Sequence, residues 1–170
     1  YSLDLKISNL TIFTLSSENF HRSSINIIYN IIYENFSNIL DELVKDNGVK
    51  IKIFGSRGNL PKKIIDIFDH SEKISSKNNS LNLNIAFNYG FKNEIKEIFK
   101  KINERKVKIN FENDKEIEKL FFLGSLPDPD LLIRTSGEQR LSNFLLWQFS
   151  YSELYFSNKL WPEFSAEDYQ

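Results

Sequence analysis

Cysteine and methionine are both absent from the 170 residues. Without cysteine there is no disulfide, no thiolate nucleophile and no cysteine-ligated zinc, which fits a reducing compartment. Without methionine the sequence cannot start at its own initiator, so it is expected to be a processed, trimmed or partly observed product. An excess of charge is missing too: 22 basic residues face 23 acidic ones, for a net charge of −1. No summed field holds nucleic acid or pins the chain to an anionic membrane, so anion binding must be local. There is no run of about 18 apolar residues and no secretory leader pattern, which argues against a membrane-spanning helix or retained signal peptide within these residues and leaves peripheral membrane contact open. Gly-x-x-x-x-Gly-Lys-Ser/Thr and Gly-x-Gly-x-x-Gly are absent as well, which argues against kinases and dinucleotide oxidoreductases.

What is present has the rhythm of an α/β protein. At 20.0 kDa the chain fits one domain, residues 1–170. Residues 10–15 form an apolar run suited to a buried strand, ending at Ser16-Ser17-Glu18-Asn19. Ile25, Ile28, Tyr29, Ile32, Phe36, Ile39, Leu40 and Leu43 then recur at the spacing of one helix face, closed by Asn47-Gly48. Val49, Ile51 and Ile53 alternate with lysines before Gly55-Ser56-Arg57-Gly58, and Pro61 opens a short helix with Ile64, Ile65 and Phe68 inward. Residues 75–80 are polar and read as a loop. Leu81, Leu83, Ile85 and Phe87 alternate again, followed by a helix carrying Ile95, Ile98, Phe99 and Ile102. Residues 114–123 suggest another helix, and 131–133 a strand running into Arg134-Thr135-Ser136-Gly137. Strands alternating with helices predict a mostly parallel central sheet flanked by helices, with polar loops converging outside the carboxyl ends of the strands.

Three groups of residues could carry chemistry. Arg134 and Arg140 crowd with Ser142 into a polar stretch between apolar runs. Arginine offers a planar fork of donors that matches two phosphoryl oxygens, so the stretch suits a phosphate ester; the alternative is a surface network with Asp128, Asp130 or Glu138. Glu153 stands among aromatics in Tyr151-Ser152-Glu153-Leu154-Tyr155-Phe156. It could ligate Mg²⁺ or simply face solvent on an edge strand. Ser16, Asn19 and Arg22, with Phe20 among them, put short polar groups and a cation at the exit of the first strand, where Ser23 or Ser24 could also cap the next helix. His21 and His70 have no partner at a recognisable spacing and read as surface residues.

The whole stretch from Pro127-Asp128-Pro129-Asp130 through Leu146-Trp147-Gln148 closely resembles the C-terminal motif of the cis-prenyltransferases, the undecaprenyl and dehydrodolichyl diphosphate synthases. The residues Tyr151-Ser152-Glu153-Leu154-Tyr155-Phe156 and Leu160-Trp161-Pro162-Glu163-Phe164 continue that motif. Upstream, residues 10–20 resemble the family's strand with its Ser-Glu-Asn-Trp loop, and residues 81–90 another of its strands. The resemblance implies repeated condensation of isopentenyl diphosphate onto an allylic diphosphate such as farnesyl diphosphate, giving a long cis-polyprenyl diphosphate for carrier-lipid synthesis. It implies that Arg134, Arg140 and Ser142 hold isopentenyl diphosphate, that Glu153 serves a Mg²⁺ site, and that Ser16 and Asn19 assist proton removal. Phe20 is implied to pack near the reacting carbons and Arg22 to face a diphosphate. An apolar channel is implied too, for which the 15 Phe and the helix face of residues 25–43 are candidates. The family also implies a homodimer or a heterodimer with an activating subunit, in the cytoplasm or peripheral on a membrane such as the endoplasmic reticulum; the rival role is that of the non-catalytic activating subunit itself.

Three departures accompany the resemblance. The family's Asp-Gly-Asn-Gly-Arg-type motif, with its metal-binding aspartate, has no counterpart, so the sequence is expected to begin after it. The family's usual tryptophan is Phe20, with Ser23 where proline is common. The sequence is expected to stop, at Gln170, ahead of the family's last helix and tail.

Overall fold

The computed structural model describes residues 1–20, 24–46, 48–104 and 108–169. It divides into two compact units, Tyr1–Gly90 and Phe91–Gln170. In the first, β1 (Asn9–Ser16), β3 (Leu81–Tyr89) and β2 (Val49–Phe54) form a parallel sheet in the order β1-β3-β2. The α/β expectation is borne out, with helices flanking parallel strands. Parallel neighbours need a long crossover. Helix α1 (Ile25–Asp41), continued by a π-helical turn at Glu42–Asp46, connects β1 to β2, and α2 (Lys62–Ser75) connects β2 to β3.

The core follows the sequence periods. Val49, Ile51 and Ile53 of β2 and Leu81, Leu83 and Phe87 of β3 are buried with Tyr29 of α1 and Ile64 and Phe68 of α2. The Phe68 ring meets Phe87 edge-on at 5.3 Å between centroids, the arrangement that sets a ring's positive edge on its neighbour's negative face. Arg57, just after β2, pairs with Asp69 and, at 3.1 Å, with Glu72 of α2, whose other oxygen accepts the Ile53 N–H at 2.7 Å. That bond satisfies a donor on the side of β2 facing away from β3.

Several expectations need correction. Helix α2, expected to be short, runs for 14 residues, because its inward serines satisfy themselves: Ser71 donates to the Ile67 carbonyl and Ser75 to the Ser71 carbonyl at 2.7 Å. Ser75, expected in a loop, is fully buried and accepts the Ile51 N–H at 3.0 Å. Ile39 of α1 and Phe99 of α3 (Phe91–Asn103), expected to point inward, are 47% and 64% exposed. Asn47, expected to close α1, lies outside the described residues; Gly48 beside it has the left-handed φ of 63°.

In the second unit, α4 covers only Asp114–Glu118 instead of residues 114–123. Tight turns follow, with Phe121 N–H on the Glu118 carbonyl (3.0 Å) and Gly124 N–H on that of Phe121 (3.1 Å). The backbone of Gly124 lies so near the Glu118 carbonyl that a Cβ there would sit 1.6 Å from its oxygen. The apolar residues of this run therefore pack as turns: Phe121 stacks on Phe91 at 6.1 Å and on Trp147 at 5.2 Å. A second parallel ladder joins β4 (Leu131–Arg134) to β5 (Glu153–Phe156), with Leu131 opposite Glu153 and Arg134 opposite Phe156. Among the described residues no helix is long and apolar enough to cross a membrane.

Candidate functional site

In the first unit the loops that leave the three strands meet along one edge of the sheet. Ser16 is opposite Tyr89, the Ser17 N–H donates to the Tyr89 carbonyl at 2.8 Å, and the Ser56 N–H donates to the Asn88 carbonyl at 3.1 Å. The side chain of Asn88, at φ 51°, donates back to the Ser56 carbonyl at 2.9 Å. Parallel sheets bind ligands at such an edge. Ser16 Oγ accepts the Asn19 N–H at 3.2 Å, so the serine shapes its own turn while its hydroxyl proton stays available. Phe20 is buried in the core of this unit. Ser24 starts α1 with its carbonyl accepting the N–H groups of Ile27 and Ile28. Arg22, His21 and Ser23 lie outside the described residues, and His70 is exposed on α2.

The second unit brings Arg134, Arg140 and Ser142 together. Arg134 ends β4, and its Nη1 donates to the Arg140 carbonyl and, at 2.7 Å, to Ser142 Oγ. A guanidinium has five N–H donors. With Nη1 committed to the loop, the Nε–H and the Nη2 pair are left for an anion. Arg140 Nη1 pairs with Glu138 at 2.6 Å in an exposed contact. The surface network anticipated as the alternative thus forms at Arg140, whereas Arg134 is bound by a carbonyl and a hydroxyl rather than by a carboxylate. An exposed ion pair contributes only about 0–1 kcal/mol, against about 1.5–3 kcal/mol for a hydrogen bond to a charged group. A diphosphate with several negative oxygens can therefore displace Glu138 from Arg140.

This loop is strained in a directed way. Ser136, Ser142, Asn143 and Leu145 have φ of 74°, 49°, 61° and 40°, a region that costs a non-glycine residue roughly 1–2 kcal/mol. Such strain persists only where surrounding contacts over-determine it, and it gathers at functional sites. The contacts are visible: Leu145 is fully buried, and Asn143 accepts the Phe91 N–H on its carbonyl (2.8 Å) and the Lys92 N–H on Oδ1 (2.9 Å). On the other flank the Ser136 N–H reaches the Lys159 carbonyl (2.7 Å) and the Gly137 N–H that of Ser157 (2.9 Å).

Lys159 is fixed in turn by Asp168. Its ammonium, followed by the N–H and hydroxyl of Ser165, holds the Asp168 carboxyl down to about 2. A depressed folded-state pKa contributes stability above the ordinary value and loses it as pH falls through the depressed one, here between about pH 4 and pH 2. An NMR titration is expected to find the Asp168 midpoint near 2 and to see it return toward 3.8 in Lys159→Ala.

Glu153 is not gathered with the arginines. It starts β5 opposite Leu131, while Arg134 ends β4. Three strand steps of about 3.3 Å separate the two ends, roughly 10 Å. Its side chain is exposed and has no partner among the described residues. There are also no groups of three or more acidic, histidine or cysteine side chains that could hold a metal ion by themselves among the described residues. One open carboxylate is nonetheless a donor set that suits Mg²⁺, which commonly takes one or two protein carboxylates and fills its other positions with substrate phosphate and water.

Sequence reasoning passed over the residues that anchor the arginine loop: Asn143, Ser157 and Lys159. Their contribution runs largely through backbone carbonyls, which leave no trace in residue type. It also passed over Gln148, for which a signal existed, since a polar residue inside Phe144-Leu145-Leu146-Trp147-Gln148-Phe149 is out of place unless it is wanted there.

Comparison with known proteins gives a consistent set of matches. A family model described as putative undecaprenyl diphosphate synthase matches residues 1–170. A tritrans,polycis-undecaprenyl-diphosphate synthase (geranylgeranyl-diphosphate specific) of Picrophilus torridus is 38% identical, the match covering 99% of this chain and 69% of that protein. An isoprenyl transferase of Leptospira interrogans is 40% identical, over 96% of this chain and 70% of that protein. Among solved structures, lavandulyl diphosphate synthase from Lavandula x intermedia in complex with dimethylallyl diphosphate superposes with a TM-score of 0.85 at 32% identity, covering 99% of this chain and 75% of that one. A probable undecaprenyl diphosphate synthase from Campylobacter jejuni gives 0.81, also at 32% identity, over 99% and 79%.

Proposed function

Because the chain belongs to the undecaprenyl diphosphate synthase family of prenyltransferases, we propose that it condenses isopentenyl diphosphate onto farnesyl diphosphate, repeatedly and with cis geometry. The observation that supports this reading most is the arginine loop, in which Arg134 is pre-aligned by Ser142 Oγ and the Arg140 carbonyl while part of its guanidinium stays available.

The chemistry asks for what these residues can supply. A carbon–carbon bond forms between the terminal alkene carbon of isopentenyl diphosphate and the first carbon of the allylic chain. The allylic carbon–oxygen bond breaks, inorganic diphosphate leaves with the electron pair, and a proton departs from the isopentenyl unit. Two polyanions must be held side by side, which only fixed cations make favourable. Arg134, Arg140 and Ser142 hold the isopentenyl diphosphate; Ser16 and Asn19 assist removal of the proton, Phe20 packs near the reacting carbons and Arg22 faces a diphosphate. Glu153 would help hold Mg²⁺, which neutralises charge on the departing diphosphate when bound. The helix face expected as a channel wall, with Ile25, Ile28, Tyr29, Ile32 and Phe36, packs in the core instead, so the wall for the lengthening hydrocarbon falls to the outward isoleucines Ile27 and Ile31, at 62% and 55% exposure.

The test is incorporation of labelled isopentenyl diphosphate by the full-length protein with Mg²⁺ and, in parallel, dimethylallyl, farnesyl or geranylgeranyl diphosphate as acceptor. The expected product is a ladder of five-carbon additions, fastest from farnesyl diphosphate. A ladder favouring another acceptor corrects the acceptor. No extension by the isolated protein, restored by adding a second family member, identifies it instead as an activating subunit.

A further inference from the structure

Gln148 opens a short 3-10 helix, Gln148–Tyr151, and is 4% exposed. Its Oε1 and Nε2 are both buried without a hydrogen-bond partner among the described residues. The great majority of buried side-chain polar atoms have one. Gln148 borders a small, partly open pocket of about 10 Å³ lined also by Glu118, Phe121, Gly124, Leu126, Asp128 and Trp147.

Size and polarity together specify the occupant. A space of about 10–15 Å³ takes one water and little else, and internal waters characteristically serve groups that the protein leaves unpaired. Two of the lining residues, the half-buried Glu118 and the exposed Asp128, carry carboxylates that can serve as further acceptors. A metal cation can answer Oε1 and the carboxylates but never the Nε2 donor, whereas a water both accepts and donates, so it can serve Nε2 and give its protons to Oε1 or a carboxylate.

We propose that Gln148 holds one internal water shared with the carboxylates of Glu118 and Asp128, and that this hydrated amide positions the start of β5. The three residues come from the end of α4, the segment before β4 and the helix before β5. The water would continue a seam already begun by the Ser152 hydroxyl on the Pro129 carbonyl and the Glu153 N–H on that of Asp130. Gln148 is thereby a positioning residue for Glu153, a consequence that rests on Glu153 serving the metal in the proposed reaction.

Water–protein NMR cross-peaks on the full-length wild-type protein decide the first half. A long-lived water is expected at the Gln148 side-chain amide, absent in Gln148→Leu and kept in Gln148→Asn, whose shorter amide leaves more room. No such cross-peak in the wild type, or an unchanged internal water in Gln148→Leu, overturns the site. For the second half, Gln148→Leu is expected to lower kcat roughly tenfold with KM for isopentenyl diphosphate nearly unchanged, and Gln148→Asn to restore most of it, as a small misplacement of a reacting-site group does. Equal kcat in the wild type and both variants overturns the positioning role. If Glu153→Gln also leaves kcat intact, the role of Glu153 is what fails, and the water stands on its own spectrum.

Discussion

Replacing Arg134 with alanine lowers kcat/KM for isopentenyl diphosphate by roughly a hundredfold or more. Two charged hydrogen bonds to phosphoryl oxygens contribute at least about 3 kcal/mol together, and each ~1.4 kcal/mol is a factor of ten. The loss exceeds that of Arg140→Ala, which is expected to act mainly on KM by about tenfold, because Arg140 sits farther into solvent and already shares its charge with Glu138. Arg134 has a second task. Its Nη1 ties the Arg140 carbonyl to Ser142 across the left-handed stretch, so its removal also releases the strain that shapes the loop. Arg134→Lys keeps the charge but not the fork, and is expected to recover only a small part of the activity. Steady-state kinetics of the three variants, beside thermal melts showing each one folded, check this; a kcat/KM for Arg134→Ala within threefold of wild type removes the loop from the mechanism.

The largest effect on the fold is expected at Gly55, directly after β2. Its φ is 132°, and a Cβ there would sit 2.0 Å from the Phe87 carbonyl oxygen of β3. No flexible side chain can yield at that point, since the neighbour is the backbone of the central strand. Gly55→Ala must therefore push β2 away from β3 where the loops of the first unit converge, at a cost of about 5 kcal/mol or more, in the exceptional range for a single substitution. For a protein of this size that lowers Tm by at least about 10 °C, and it can abolish the cooperative transition altogether. Gly58, three residues on, has nothing within 4 Å of the point where a methyl group would stand. Gly58→Ala is accordingly expected to melt like the wild type, and equal Tm values for the two variants would show that the close approach at Gly55 is not limiting.

Much of the first unit was legible because its pattern is redundant. Val49, Ile51 and Ile53 alternate in β2, Leu81, Leu83, Ile85 and Phe87 alternate in β3, and α1 repeats its inward face over several turns. What misled was polarity of a particular kind. Ser75 looks like a loop residue until its hydroxyl bonds back onto the carbonyl four residues earlier, as that of Ser71 also does, an option that composition does not advertise. Residues 120–123 look helical because they are apolar, yet the close contact of Gly124 with the Glu118 carbonyl turns the chain instead.

The site was legible as chemistry and not as shape. Two arginines and a serine in ten residues announce an anion. Their convergence depends on Ser136, Ser142, Asn143 and Leu145 accepting a backbone conformation that favours glycine, which no propensity scale foresees. The distance of Glu153 from Arg134 depends on the ladder register, Leu131 opposite Glu153, which becomes visible only once the strands pair.

The most direct measurement of the central claim is an isopentenyl diphosphate titration of ¹⁵N-labelled full-length protein, following the backbone amides of residues 134–145 and the Arg134 Nε–H. The diphosphate assignment predicts saturable shifts concentrated at Arg134, Arg140 and Ser142, abolished in Arg134→Ala. Saturable binding that leaves these signals in place and moves others would contradict it.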